Sequence, residues 1–229
     1  MPATAQAMTF AVGDAQRVSA LLQAPTGSHA CYVLAHGAGA GMAHPFMTAI
    51  ANELATRGIA TLRYQFPYME NGSKRPDPPN IAHAAVRAAV GEAGRLLPQL
   101  PLVAGGKSFG GRMTSQAQAA VPLANVRGLA FLGFPLHPAK QPSNDRARHL
   151  ADVQVPMLFL QGTRDELADL QLVQDLAGTL GPRATLELII DADHSFHVRK
   201  SSGSTDAQVI GHLADLLAAW IDAKIAPVG

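Results

Sequence analysis

The sequence predicts a doubly wound, mostly parallel α/β sheet, and three observations predict it. Short apolar runs alternate with helix-period stretches over most of the chain. The strand-like runs, such as residues 31–35, are apolar at successive rather than alternate positions. That pattern suits a strand covered on both faces. Finally, glycines crowd one serine in Gly105-Gly106-Lys107-Ser108-Phe109-Gly110-Gly111, between an apolar run and a helix-like stretch. The implied order is strand, sharp turn, helix.

Length and composition bound the possibilities. With 229 residues, 48% of them hydrophobic, one domain spanning residues 1–229 with a full core is expected. The formal net charge of +1 suggests neither a nucleic-acid partner nor a polybasic membrane patch. The single cysteine, Cys31, excludes an internal disulfide and sits in an apolar run, so a buried structural thiol is expected. No stretch approaches a membrane span, and residues 1–10 lack both a basic region and a long apolar segment. A cytoplasmic protein is the expectation.

Residues 9–22 are short mixed segments broken at Gly13-Asp14 and read as a peripheral antiparallel hairpin. Residues 31–35 are a core strand that runs into His36-Gly37-Ala38-Gly39-Ala40-Gly41. Pro45 suits a first helical turn; Phe46, Met47, Ile50, Leu54 and Ala55 give the stripe, and Gly58 stops it. Residues 59–62 are the next strand. Residues 63–80 carry four prolines and Asn71-Gly72, so a long irregular loop is expected. In it Tyr64, Phe66, Tyr68 and Met69 are candidates for a pocket wall or for packing the loop onto the body, and Lys74 and Arg75 for solvated positions. Residues 81–97 read as an alanine-rich helix with Ile81, Ala85, Ala88, Ala89 and Leu96 on one face, ended by Pro98.

A strand over residues 102–104, the glycine-flanked serine and a helix over 113–120 follow, then a strand over 126–132. Residues 134–153 are a Pro-rich connection with a short helix near 146–151, too short for a cap domain. A strand over 156–160 delivers Gln161-Gly162-Thr163-Arg164-Asp165-Glu166, and a helix over 167–180 ends before Gly181-Pro182. The last strand, 186–190, delivers Asp191-Ala192-Asp193-His194-Ser195-Phe196. Val209, Leu213, Leu216, Leu217, Trp220 and Ile221 mark a closing amphipathic helix.

Loops at the carboxyl ends of parallel strands converge on one edge of the sheet. Three of them carry Ser108, Asp165 and His194. Gly106-x-Ser108-x-Gly110 fits a nucleophile elbow, and the order serine, acid, histidine is that of α/β-hydrolases. A P-loop is the sharper rival for Gly106-Lys107-Ser108, but its first glycine falls on Pro101. The glycine-rich stretch after the 31–35 strand suits half of an oxyanion hole, so the backbone N–H groups of Ala38 and Phe109 are the expected donors. His36 is expected to be a hydrogen-bonding residue beside the site, and with Tyr64, Phe66 and Met69 a candidate for the substrate pocket. His197 competes with His194 for the base; His194 lies nearer the strand end. Asp169 reads as a surface residue inside the 167–180 helix, Asp191 and Asp193 as loop caps, and Arg112 as an ion-pair partner. Lys107 is assigned no chemistry. An Asp191-x-Asp193-His194 metal site lacks a partner of suitable spacing.

These segments carry a family resemblance. His36-Gly37-Ala38-Gly39-Ala40, Arg63-Tyr64-Gln65-Phe66-Pro67-Tyr68-Met69, Gly105 to Arg112, Gly162-Thr163-Arg164-Asp165 and Asp193-His194-Ser195-Phe196 together resemble the dienelactone-hydrolase-like branch of the α/β-hydrolase superfamily. Within it the chain is most similar to a little-characterised group of predicted bacterial hydrolases with vertebrate testis-expressed relatives. Dienelactone hydrolases proper carry a cysteine nucleophile where this sequence has Ser108. The resemblance therefore implies the fold and the triad, and no particular substrate. The expected activity is hydrolysis of a small ester, thioester or related acyl compound, with no cofactor and no metal. The rivals are acyl transfer by the same residues and a hydrolase fold kept for protein binding.

Overall fold

In the computed structural model, residues 4–14 and 16–225 are described. Eight strands form one sheet: β1 (Gln6–Val12), β2 (Gln16–Gln23), β3 (Ala30–Ala35), β4 (Ile59–Tyr64), β5 (Leu102–Lys107), β6 (Val126–Leu132), β7 (Met157–Gly162) and β8 (Ala184–Ile189). Their order across the sheet is β1-β2-β4-β3-β5-β6-β7-β8. β1 and β2 form an antiparallel hairpin that adds antiparallel to β4. Every other pairing is parallel. The expected mostly parallel, doubly wound sheet is what the chain forms.

The helices are α1 (Pro45–Thr56), α2 (Pro67–Glu70), α3 (Pro79–Leu96), α4 (Phe109–Ala120), α5 (Leu170–Leu180) and α6 (Asp206–Lys224). Successive side chains of a strand point to opposite faces, so a covered strand must be apolar at every position. β3 does this. Cys31, Val33 and Ala35 enter the core under α3, α4 and α5. Ala30, Tyr32 and Leu34 enter the other, under α1 and α6. Burial pushes the Cys31 thiol up to about 12, as a structural thiol requires. Between β6 and β7 lies only a 3-10 turn, Asp145–Asp152, and no large cap covers the strand ends.

Three expectations shift. The 63–80 loop is shorter than its prolines suggest, because β4 runs to Tyr64, Pro67 opens α2 and Pro79 opens α3. α3 buries Ala82, Ala85, Val86, Ala89, Val90 and Ala93, while Ile81 is 38% exposed. Ala85 and Ala89 are thus on the buried face as expected, Ala88 is half-buried against the core, and Ile81 lies off it. An alanine-rich helix gives little contrast between its sides, and small residues are those that let it approach its neighbours closely. Asp169 is not inside α5: it is the N-cap, and its Oδ1 accepts the Leu172 N–H at 3.1 Å.

The chain order reverses at β3, with β4 on one side and β5 on the other. Residues 36–41 and Ser108 leave these adjacent strands side by side. Open α/β sheets bind ligands at such a switch point.

Candidate active site

β5 ends at Lys107 and α4 begins at Phe109, so one residue makes the whole turn. That residue, Ser108, has φ 49° and ψ −114°. A side-chain-bearing residue held there stores roughly 1–3 kcal/mol. The motif glycines make room for it. A Cβ on Gly106 would lie 2.1 Å from the Ala35 carbonyl oxygen, and one on Gly110 would lie 2.6 Å from the carbonyl oxygens of Ala35 and His36. The elbow is thus wedged against the end of β3.

Ser108, His194 and Asp165 lie in one hydrogen-bonded row. The Ser108 Oγ to His194 Nε2 distance is 2.8 Å, and His194 Nδ1 to Asp165 Oδ2 is 2.7 Å. A carboxylate only accepts, so Nδ1 carries the proton toward Asp165 and Nε2 is left to accept from the serine hydroxyl. Asp165 is buried, 5% exposed. Its Oδ1 accepts the Leu167 N–H, and its Oδ2 also accepts from Gln161 Nε2. Gln161 in turn accepts the Phe134 N–H at 2.9 Å. Gln161 is a supporting residue that the sequence reading passed over; its signal was a polar residue at the end of a buried strand.

His197, the rival base, is engaged by another partner: its Nδ1 is 2.6 Å from Asp206 Oδ2, and that partner raises its pKa. Asp193 Oδ1 accepts the N–H groups of Ser195 and His197, which is the expected loop cap.

Lys107 takes a larger part than expected. Its Nζ donates to the His194 carbonyl and lies 5.3 Å from the centre of the Phe196 ring. Burial lowers its pKa to about 8, against the pull of Asp165 and Asp193. The residue before the serine therefore ties the elbow to the histidine loop.

The four residues expected to line a pocket do something else. His36 is buried, with Nδ1 2.8 Å from the Gly37 carbonyl and Nε2 accepting the Phe66 N–H at 3.1 Å. Burial lowers its pKa to about 4, so it is a neutral strut. Tyr64 and Phe66 are core residues, and Met69 packs beside Gly41. Tyr68 Oη accepts the Gly39 N–H, and Gln65 Oε1 accepts the Met42 N–H. Arg63, 2% exposed, donates to the Met42 carbonyl and to Thr48. Together they brace the loop that carries Ala38. Among the described residues the Ala38 N–H has no acceptor, and the Phe109 N–H is one of the free donors of the first turn of α4.

The cavity beside Ser108 has a volume of about 650 Å³ and a mainly apolar lining that includes Ala38, Phe46, Ala49, His194, Phe196 and Ile210. Phe46 and Phe196 stack with ring centres 5.8 Å apart. The wall thus comes from α1, α6 and the histidine loop. Docking of distant segments made it, which local pattern does not reveal.

A family model described as an alpha/beta hydrolase domain matches residues 28–222. Among solved structures, the chain is similar to a lidless α/β serine hydrolase from Xanthomonas campestris, with 22% identity, a TM-score of 0.74, and coverage of 100% of this chain and 99% of that one. A dienelactone hydrolase from Anabaena variabilis has 20% identity and a TM-score of 0.79, covering 98% of this chain and 100% of that one. An esterase domain from Rhodothermus marinus has 16% identity and a TM-score of 0.73, covering 96% and 98%. These likenesses extend over nearly the whole of each chain and show a shared fold.

Proposed function

We propose that this chain, which belongs to the alpha/beta hydrolase domain family, is a serine hydrolase of small esters, thioesters or related acyl compounds. The observation that carries the reading is the row from Ser108 to His194 to Asp165, at 2.8 and 2.7 Å, opening on an apolar cavity. Ser108 Oγ attacks the substrate carbonyl carbon while His194 Nε2 takes its proton. Asp165 holds the imidazole in the required tautomer and stabilises the imidazolium. The N–H groups of Ala38 and Phe109 receive the oxyanion, a role in which one donor typically supplies about 3 kcal/mol. Collapse of the tetrahedral intermediate expels the leaving group, which takes the proton back from His194. Water then attacks the acyl-enzyme by the same route and frees the acid and Ser108.

A fluorophosphonate probe followed by intact mass tests this reading. Wild type is expected to gain one adduct. Ser108→Ala is expected to gain none, and His194→Ala to label at least about a hundred-fold more slowly. Ester turnover that survives in Ser108→Ala would remove the serine from this role.

A further inference from the structure

Ser108 also borders a second cavity. Its volume is about 380 Å³, and Ala38, Ser108 and Leu167 border both spaces. Two guanidiniums line it, Arg112 from the second turn of α4 and Arg146 from the 3-10 turn. Neither makes a side-chain hydrogen bond or an ion pair among the described residues, and Arg112 Nε is buried without a partner. The expected ion pair of Arg112 is therefore not formed. The acid next to Arg146 in sequence, Asp145, pairs with Arg148 instead. Asp77 also faces the cavity, and its Oδ2 accepts the Tyr68 N–H.

Two like charges brought to one cavity repel, and a buried guanidinium donor without an acceptor is costly. Burial and the charge of Arg146 both push Arg112 below its ordinary value, as expected of a site lacking its counter-charge. An anion between the two would satisfy both forks. Two guanidiniums and one carboxylate leave a single positive charge. That balance suits a carboxylate better than a dianionic phosphate.

We propose that this second cavity binds a carboxylate carried by one arm of the substrate, with Arg112 and Arg146 as its partners. The substrate class is then an ester with an apolar arm in the larger cavity and a carboxylate-bearing arm in the smaller, such as a half-ester of a short dicarboxylic acid. The inference rests on the hydrolase reading for its reacting atom, but its test is kept separate.

The Ser108→Ala protein is titrated calorimetrically with monomethyl glutarate and with neutral dimethyl glutarate. The half-ester is expected to bind about ten-fold more tightly or better. Arg112→Gln and Arg146→Gln are expected to abolish that preference, Arg112→Lys to keep part of it, and Arg148→Gln to leave it intact. If Arg112→Gln does not fold by circular dichroism, Arg146→Gln decides. Equal binding of the two esters, binding of neither, or a preference that survives both glutamine variants overturns the proposal. Methyl phosphate binding more tightly than the half-ester overturns the carboxylate assignment. Wild-type turnover is measured beside it. Preference without turnover or probe labelling sinks the hydrolase reading alone, and turnover without preference sinks the anion site alone.

Discussion

Ser108 can be held at its strained backbone angles only because Gly106 and Gly110 let the elbow close on β3. Gly110→Ala drives a methyl group toward two backbone carbonyls that have nowhere to go. It is expected to lower unfolding stability by about 3 kcal/mol or more, read by urea denaturation. Gln161 acts from further off. Gln161→Leu removes one of the bonds to Asp165 Oδ2 and leaves the Phe134 N–H without its acceptor. The expected result is a fall in kcat of about ten-fold or more with KM little changed, since the bound substrate is untouched and only the imidazole's support is lost. The three residues of the row were legible because each sits where a strand ends and because glycines flank the serine. Their supports were not. Arg63 and Gln161 look like surface residues until the fold buries them, and the Lys107 contact to His194 spans 87 residues of chain.

Among the elements, those with strong apolar contrast were readable: β3, β6, α1 and α6 lie close to where periodicity puts them. α3 was readable in extent and only in part in its buried face, with Ala85 and Ala89 inside but Ile81 out. The aromatic stretch from Tyr64 to Tyr68 turns inward because β4 continues to Tyr64 and α2 follows at once, so the pocket wall passes to α1 and α6. Elements are also joined by two neutral histidines. His149, on the 3-10 turn, has Nε2 2.7 Å from Ser115 Oγ on α4, and burial lowers its pKa to about 4. His36 ties β3 to the residue before α2 and is lowered likewise to about 4. An unfolded histidine titrates near 6.5, so between these values the unfolded chain binds more protons and stability falls with acidification. Their joint contribution is complete above about pH 6.5 and lost as the pH falls toward 4. His149→Gln keeps a side chain able to bond Ser115. It is expected to remove about one proton from the pH dependence of the unfolding free energy between pH 6.5 and 4.

At the scale of the whole molecule, the doubly wound plan was legible because it follows from alternation along the chain, whereas both cavities arise from segments that meet only in three dimensions. The strand order puts Ser108 after a central strand and His194 after β8, the strand at one edge, which is half-buried at five of its six residues. Edge elements open at lower free energy than the centre of a sheet. Esterase activity is therefore expected to disappear at lower urea concentration than far-ultraviolet circular dichroism. Superimposable curves would show that β8 stays docked until the whole sheet unfolds. The same separation orders events at birth. His194 lies 86 residues beyond Ser108, so during synthesis the elbow can leave the ribosome while that histidine is still unmade. The nascent chain carries a serine with no histidine to activate it. On the proposed mechanism it is expected to stay unreactive toward a fluorophosphonate until the last strand emerges and takes its place at the edge.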